Sequence, residues 1–218
     1  MSESRKVAVV LSGCGVYDGS EIHEAVLTLL SIDNAGAQAL IYAPDIEQAH
    51  VINHLTGQPT RESRNVLVES ARIARGKITD LAKLSAADAD ALIFPGGFGG
   101  AKNLCTFAFH GKDMTVDPQV ERVIREFREA GKPIGFICIT PALAAKVIPG
   151  VRITLGCEGD APAAARAMGA THKETTVDQI VVDERHNVVS TAAYMLGPWV
   201  GAVAKGIDRL VVEVLARS

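Results

Sequence analysis

A chain of 218 residues is long enough to bury a substantial core and short enough for one α/β domain to account for it. With 22 Lys and Arg against 25 Asp and Glu, the formal charge is -3 and no block of like charge occurs, so neither nucleic acid nor a membrane surface is expected as a partner. Cys14, Cys105, Cys138 and Cys157 have neither the CxxC spacing of a zinc site nor the density of a disulfide scaffold, so reduced thiols and no metal are expected.

The polar N-terminus reaches its first apolar run at Val7 to Leu11, too short for a signal-peptide core or a membrane span, and the chain is expected in the cytoplasm. Lys6 to Ser12 reads as a strand stopped by Gly13-Cys14-Gly15, and the residues from Ser20 to Gly36 as a helix. Ala39 to Ala43 predicts a strand closed by Pro44, Asp45 to Pro59 an irregular or partly helical stretch, and Arg61 to Arg75 a helix. Ala91 to Phe94 is a strand running into Pro95-Gly96-Gly97.

Asp117-Pro118 is an N-cap followed by proline at the first helical position, and it opens an amphipathic helix that runs to Gly131. Pro133 to Ile137 then forms a short apolar strand, and Pro141 to Ile148 the next helix. Arg152 to Leu155 predicts another strand, Ile180 to Val182 and Val188 to Thr191 a hairpin, and about Pro198 to Ala216 a last helix. Strands alternating with helices imply an α/β fold, a mainly parallel sheet with helices on both faces in a single domain.

In such a sheet reactive groups gather beyond the carboxyl ends of the strands, where crossover loops converge. Three loops fall there: Gly13 to Gly19, Gly96 to Gly100, and Cys138 to Pro141. Gly135-Phe136-Ile137-Cys138-Ile139-Thr140-Pro141-Ala142 passes from strand to helix at Cys138, the shape of a nucleophile elbow without its G-x-S-x-G lettering. The helix N-terminus would favour thiolate and lower the Cys138 pKa below about 8.5. Position alone fits equally well a small buried hydrophobe.

Pro95-Gly96-Gly97-Phe98-Gly99-Gly100 could turn backbone amides toward an oxyanion, and it could equally be only a turn. Between Ser20 and Gly36 the only charged side chains are Glu21, Glu24 and Asp33, among apolar residues on more than one face. An acid shielded on that helix would have a raised pKa and could carry a proton near neutrality. The alternative is an exposed acid that complements the helix dipole, which the spacing favours for Glu21.

Val9 to Glu24, Pro95 to Leu104 and Gly135 to Ala142, taken together, resemble the ElbB-type, isoprenoid-biosynthesis-associated glyoxalases of the PfpI and class I glutamine amidotransferase-like superfamily, and the likeness spans essentially the whole chain. The resemblance implies a flavodoxin-like three-layer sandwich, usually dimeric, that uses no cofactor. It assigns the nucleophile to Cys138 and the neighbouring carboxyl group to Glu24, with Glu21 as competitor.

The implied activity is conversion of glyoxal to glycolate without glutathione, the oxyanion being held by backbone amides around Gly96, Gly97 and Ile139. Gly13, Cys14, Asn103 and Thr140 are candidates for the pocket wall. Many superfamily members place a histidine beside the nucleophile, where this chain has Ile139, so a full Cys-His-acid triad is not expected. Amidotransfer would need such a histidine, and His172-Lys173-Glu174 has the H-x-E lettering only 34 residues after Cys138. A further alternative is a redox-responsive or protein-stabilising factor in which Cys138 is oxidised.

Overall fold

The computed structural model describes residues 4–197 and 199–218. The chain runs β1 (Lys6–Val10), α1 (Ile22–Asn34), β2 (Gln38–Ala43), the small hairpin β3 (Ile52–Asn53) and β4 (Gln58–Pro59), α2 (Val66–Ile73) and β5 (Thr79–Asp80). There follow β6 (Ala91–Phe94), α3 (Phe98–Lys102), α4 (Phe107–His110), α5 (Pro118–Glu129), β7 (Ile134–Ile137) and α6 (Pro141–Val147). The last part holds β8 (Arg152–Ile153), α7 (Asp160–Ala167), β9 (Thr171–His172), β10 (Ile180–Asp183), β11 (Val188–Thr191) and α8 (Val200–Arg217).

Seven strands form one sheet in the order β10-β11-β7-β6-β1-β2-β5. All neighbours are parallel except the β10–β11 hairpin. The sheet divides the apolar side chains by pleat alternation: Ala8, Val10, Leu92, Phe94 and Phe136 face a core shared with α5 and α6. Val7, Val9, Ile93 and Ile137 face the other, shared with α1 and α8. Phe94 and Phe136 stack at 5.3 Å between centroids and fix the register of β6 against β7 at the end nearest the site. This is the mainly parallel α/β fold expected from the alternation and the flavodoxin-like sandwich that the resemblance implies, and its strand order reverses at β1, between β2 and β6.

The differences are local. The helix expected from Arg61 begins only at Val66, because the Asn65 side chain accepts the Val68 N–H and caps it there. The stretch read as irregular contains the β3–β4 hairpin. β8 pairs outside the main sheet with β9, α3 comes from a segment read as loop, and α4 and α7 from segments for which no element is expected. The start expected for the last helix at Pro198 lies outside the described residues. Among the described residues no helix is long and apolar enough to cross a membrane.

Candidate active site

Cys138 follows β7 with φ at 64°, a left-handed conformation that a non-glycine residue adopts at a cost of about 1–3 kcal/mol. Surrounding bonds impose it. The Cys138 N–H donates to Thr191 O on β11 at 2.9 Å. Thr140 Oγ1 donates to Phe94 O on β6 at 2.9 Å and accepts the Ile137 N–H at 2.9 Å. Thr140, buried and pinned to β6, therefore shapes the elbow from behind and does not line the cavity.

Glu24 reaches the same point from the first turn of α1 and is fully buried. Its Oε2 accepts the Gly96 N–H at 2.9 Å, its Oε1 accepts the Tyr194 N–H at 3.2 Å, and the carboxyl group lies beside the Cys138 side chain across Gly96. Burial, the dominant cause, raises its pKa from 4.5 to about 8. Gly96 has to be glycine, since a Cβ there would collide with both the Cys138 Cβ and Glu24 Oε2. Gly97, at φ +100°, turns its N–H toward the Cys138 sulfur, which also receives the Ile139 N–H.

These donors do not lower the thiol pKa as expected from the sequence. Burial first, then the charge of Glu24, pushes Cys138 well above the usual range, and the amides of Gly97 and Ile139 offset only part of this. With only seven residues, α6 contributes a short stack of peptide dipoles. Burial thus favours the protonated form of both groups, the Glu24 carboxyl and the Cys138 thiol.

Glu21 is the N-cap of α1: its carboxylate accepts the Glu24 N–H at 2.7 Å and its own N–H donates to Gly96 O at 2.9 Å. It thus seats Glu24 against the Gly96 loop and also borders the cavity. That cavity, about 820 Å³, opens over Cys138 and is walled by Gly97, Phe98, Phe107, Phe109, Ile139, Asp160, Tyr194 and Met195, among others. Tyr194 was not foreseen. It follows β11 at the same carboxyl edge of the sheet as Cys138, and its hydroxyl pairs with His23 Nδ1 at 2.7 Å.

The structure brings together Cys138, Glu24, Gly96, Gly97 and Ile139, with Glu21 beside them, and leaves Gly13, Cys14, Asn103 and Thr140 outside the cavity wall. Gly13 donates its N–H to Ser70 Oγ, and the Asn103 amide ties Ser12 O and Asp18 O to the Ala49 N–H. Cys14 is half-buried and its pKa is raised by burial and by Glu69. None of Gly13, Cys14 or Asn103 lines the cavity. His172 sits on β9 with both ring nitrogens unpartnered and Glu158 Oε1 3.7 Å away. No histidine is among the described residues lining the cavity, so the arrangement that amidotransfer needs is not assembled there.

The result is a parallel α/β sandwich with a strained cysteine elbow and an acid delivered beside it from the first helix. No protein-family model matches the chain. The human protein named glutamine amidotransferase-like class 1 domain-containing protein 3, mitochondrial, is 54% identical over 220 residues, covering 96% of this chain and 82% of its own. The crystal structure of an isoprenoid biosynthesis protein with amidotransferase-like domain from Ehrlichia chaffeensis superposes with a TM-score of 0.91 at 36% identity, over 98% of this chain and 99% of that one. A DJ-1 superfamily protein from Salmonella typhimurium, at 21% identity and a TM-score of 0.60 over 97% of this chain and 91% of its own, shares the fold. The chain belongs to the glutamine amidotransferase-like class 1 family. The human relative is named as mitochondrial, so the cytoplasmic location expected from the sequence finds no support in it.

Proposed function

We propose that this protein is a cofactor-independent glyoxalase of the ElbB type, in which Cys138 is the nucleophile and Glu24 the proton carrier. One arrangement carries the reading: a fully buried carboxyl group set beside a thiol that opens into a cavity, with burial raising the carboxyl pKa to about 8. The name of the Ehrlichia chaffeensis relative, an isoprenoid biosynthesis protein, supports the ElbB-type assignment. The homodimer implied by the resemblance belongs to the same proposal.

The competent form of the pair holds one proton between Glu24 and Cys138. As the sulfur attacks an aldehyde carbon of glyoxal, Glu24 takes the thiol proton and passes it to the developing alkoxide, giving a hemithioacetal. The amides of Gly97 and Ile139, aimed at the sulfur, lie where they can hold the oxyanion. Glu24, again ionised, removes the C–H proton from the sulfur-bearing carbon, and an enediol forms. Reprotonation at the second carbon leaves a thioester of glycolate, which water hydrolyses to glycolate and the free thiol. One carbon is oxidised as its neighbour is reduced, so atoms and electrons balance without an external hydride carrier.

The test is an assay of the purified protein with glyoxal, without glutathione, following glycolate. Wild type should produce it and Cys138→Ala should not. Undiminished turnover by Cys138→Ala would overturn the proposal.

A further inference from the structure

The cavity over Cys138 far exceeds what glyoxal, with two carbons and two oxygens, can fill. Its volume of about 820 Å³ lies within the range of roughly 300–1,000 Å³ in which sites enclose drug-sized ligands. Much of its wall is apolar: Phe98, Phe107, Phe109, Val16, Ile139 and Met195. Phe98 and Phe109 leave 48% and 47% of their surface uncovered. Both rings are nevertheless held in place. Lys102 Nζ lies 5.2 Å from the Phe98 centroid, and His50 packs edge-on to Phe109 at 5.5 Å. Seated aromatic faces open to water inside a concave site are surfaces that an apolar ligand gains by covering.

Charge narrows the ligand further. Glu21 and Asp160 border the cavity, while no Lys, Arg or His is found among the described residues that line it. A carboxylate or phosphate on the substrate would meet like charge at Glu21 and Asp160, and the nearby Lys102 ammonium, outside the lining, already donates to Tyr17 O at 2.9 Å.

We infer that the preferred substrates are α-oxoaldehydes carrying a bulky, uncharged apolar substituent, aryl or branched alkyl, which packs against Phe98, Phe107 and Phe109 while the aldehyde carbon meets Cys138. The inference rests on the glyoxalase reading and extends it to the part of the cavity that glyoxal leaves empty. The chemistry is unchanged: the thiol adds to the aldehyde, the C–H proton moves to the neighbouring carbon, and water releases a 2-hydroxy acid that keeps the substituent.

The experiment has two arms. Initial rates compare phenylglyoxal with glyoxal, and kcat/KM should favour phenylglyoxal by at least about tenfold, the discrimination that a buried apolar group supplies. Phe109→Ala, which removes a ring, and Ala164→Phe, which fills space in the same cavity, should each shrink that ratio. The second arm needs no turnover: acetophenone, lacking the aldehyde, should slow alkylation of Cys138 by iodoacetamide, followed by peptide mass spectrometry, while acetone at equal concentration should not. Equal kcat/KM for the two aldehydes, with acetophenone no more protective than acetone, overturns the inference. Protection by acetophenone with no turnover of any α-oxoaldehyde overturns the glyoxalase reading and leaves the apolar ligand class standing.

Discussion

Cys138 and Cys14 stand on loops that leave the same edge of one parallel sheet, yet their surroundings differ in kind. Around Cys14 the polar groups satisfy one another. Glu69 pairs with Arg72 at 2.9 Å, Asp18 accepts the Ile52 N–H at 2.6 Å, and the Gly13 N–H is bound to Ser70 Oγ at 2.8 Å. Around Cys138 a carboxyl group is buried without a cation, two amides point at the sulfur, and a cavity opens above it. The chain invests stability in the first loop and stores instability in the second, which is the usual signature of a site kept ready for chemistry. Position at the sheet edge makes a cysteine eligible. Unspent acidity and donors make it a candidate nucleophile.

The sharpest way to break the comparison is to remove the proton from the Cys138 side. Glu24→Gln preserves shape and an acceptor for the Gly96 N–H but cannot exchange a proton, so glyoxal turnover should fall by about 10²-fold or more. Glu21→Gln keeps an oxygen that can still cap α1 by accepting the Glu24 N–H, and should lower turnover by less than about tenfold. Steady-state kinetics on both variants, with melting curves to show that they fold, decides the matter. The reverse ranking would make Glu21 the proton carrier.

That ranking was only half legible in the sequence. The sparse charge between Ser20 and Gly36 marked both acids, and the passage from strand to helix marked Cys138, because strand and helix signals are local. Which acid turns inward depends on α1 packing against α8 and on Glu21 serving as the cap, a tertiary outcome. The thiol pKa went the other way from the helix-dipole expectation because burial is set by the whole fold and outweighs seven residues of helix.

The aromatic wall was invisible for a related reason. Phe107 and Phe109 belong to α4, a helix of four residues too short to show periodicity, and α7 begins with Asp160-Ala161-Pro162, whose proline hid a helix start that the first turn tolerates. Tyr194 could have been found. The rule that selected the loops after β1, β6 and β7 selects the loop after β11 as well, had that strand been placed parallel to β7 rather than treated only as half of a hairpin.

A second consequence of the unspent carboxyl group is a stability that depends on pH. Folded Glu24 holds its proton to about pH 8, whereas the ordinary value is 4.5. Between those values the folded state binds more protons than the unfolded one, so stability falls as pH rises, and the loss is complete above about pH 8. Gln at this position has no proton to lose. Wild type should therefore lose stability relative to Glu24→Gln, on the order of a few kcal/mol, across that window, read from denaturant midpoints of both proteins. Parallel curves for the two proteins would show that the carboxyl group is solvated in the folded state.

The smallest effect is expected at Cys14, and it tests the other side of the comparison. Cys14 lines no part of the cavity, and its thiol pKa is raised by burial, then by Glu69, with Arg72 opposing and Asp18 adding to the rise. Cys14→Ser changes one atom in a half-buried loop whose backbone is fixed elsewhere: Gly15 and Gly19 are closed by their own hydrogen bond, and Asn103 clamps Ser12 and Asp18. Substitutions away from cores, networks and strained sites shift stability by no more than about 0.5 kcal/mol. Turnover of glyoxal by Cys14→Ser should accordingly stay within about twofold of wild type, and Cys138 should alkylate at the same rate in both. A loss in Cys14→Ser approaching that of Cys138→Ala would mean that the Gly13 to Gly19 loop, which at rest lends Val16 but not Cys14 to the cavity wall, closes further over the cavity during turnover. The alkylation rate separates the two cases, because a loop that closes only on substrate leaves the rate for free Cys138 untouched while glycolate formation falls.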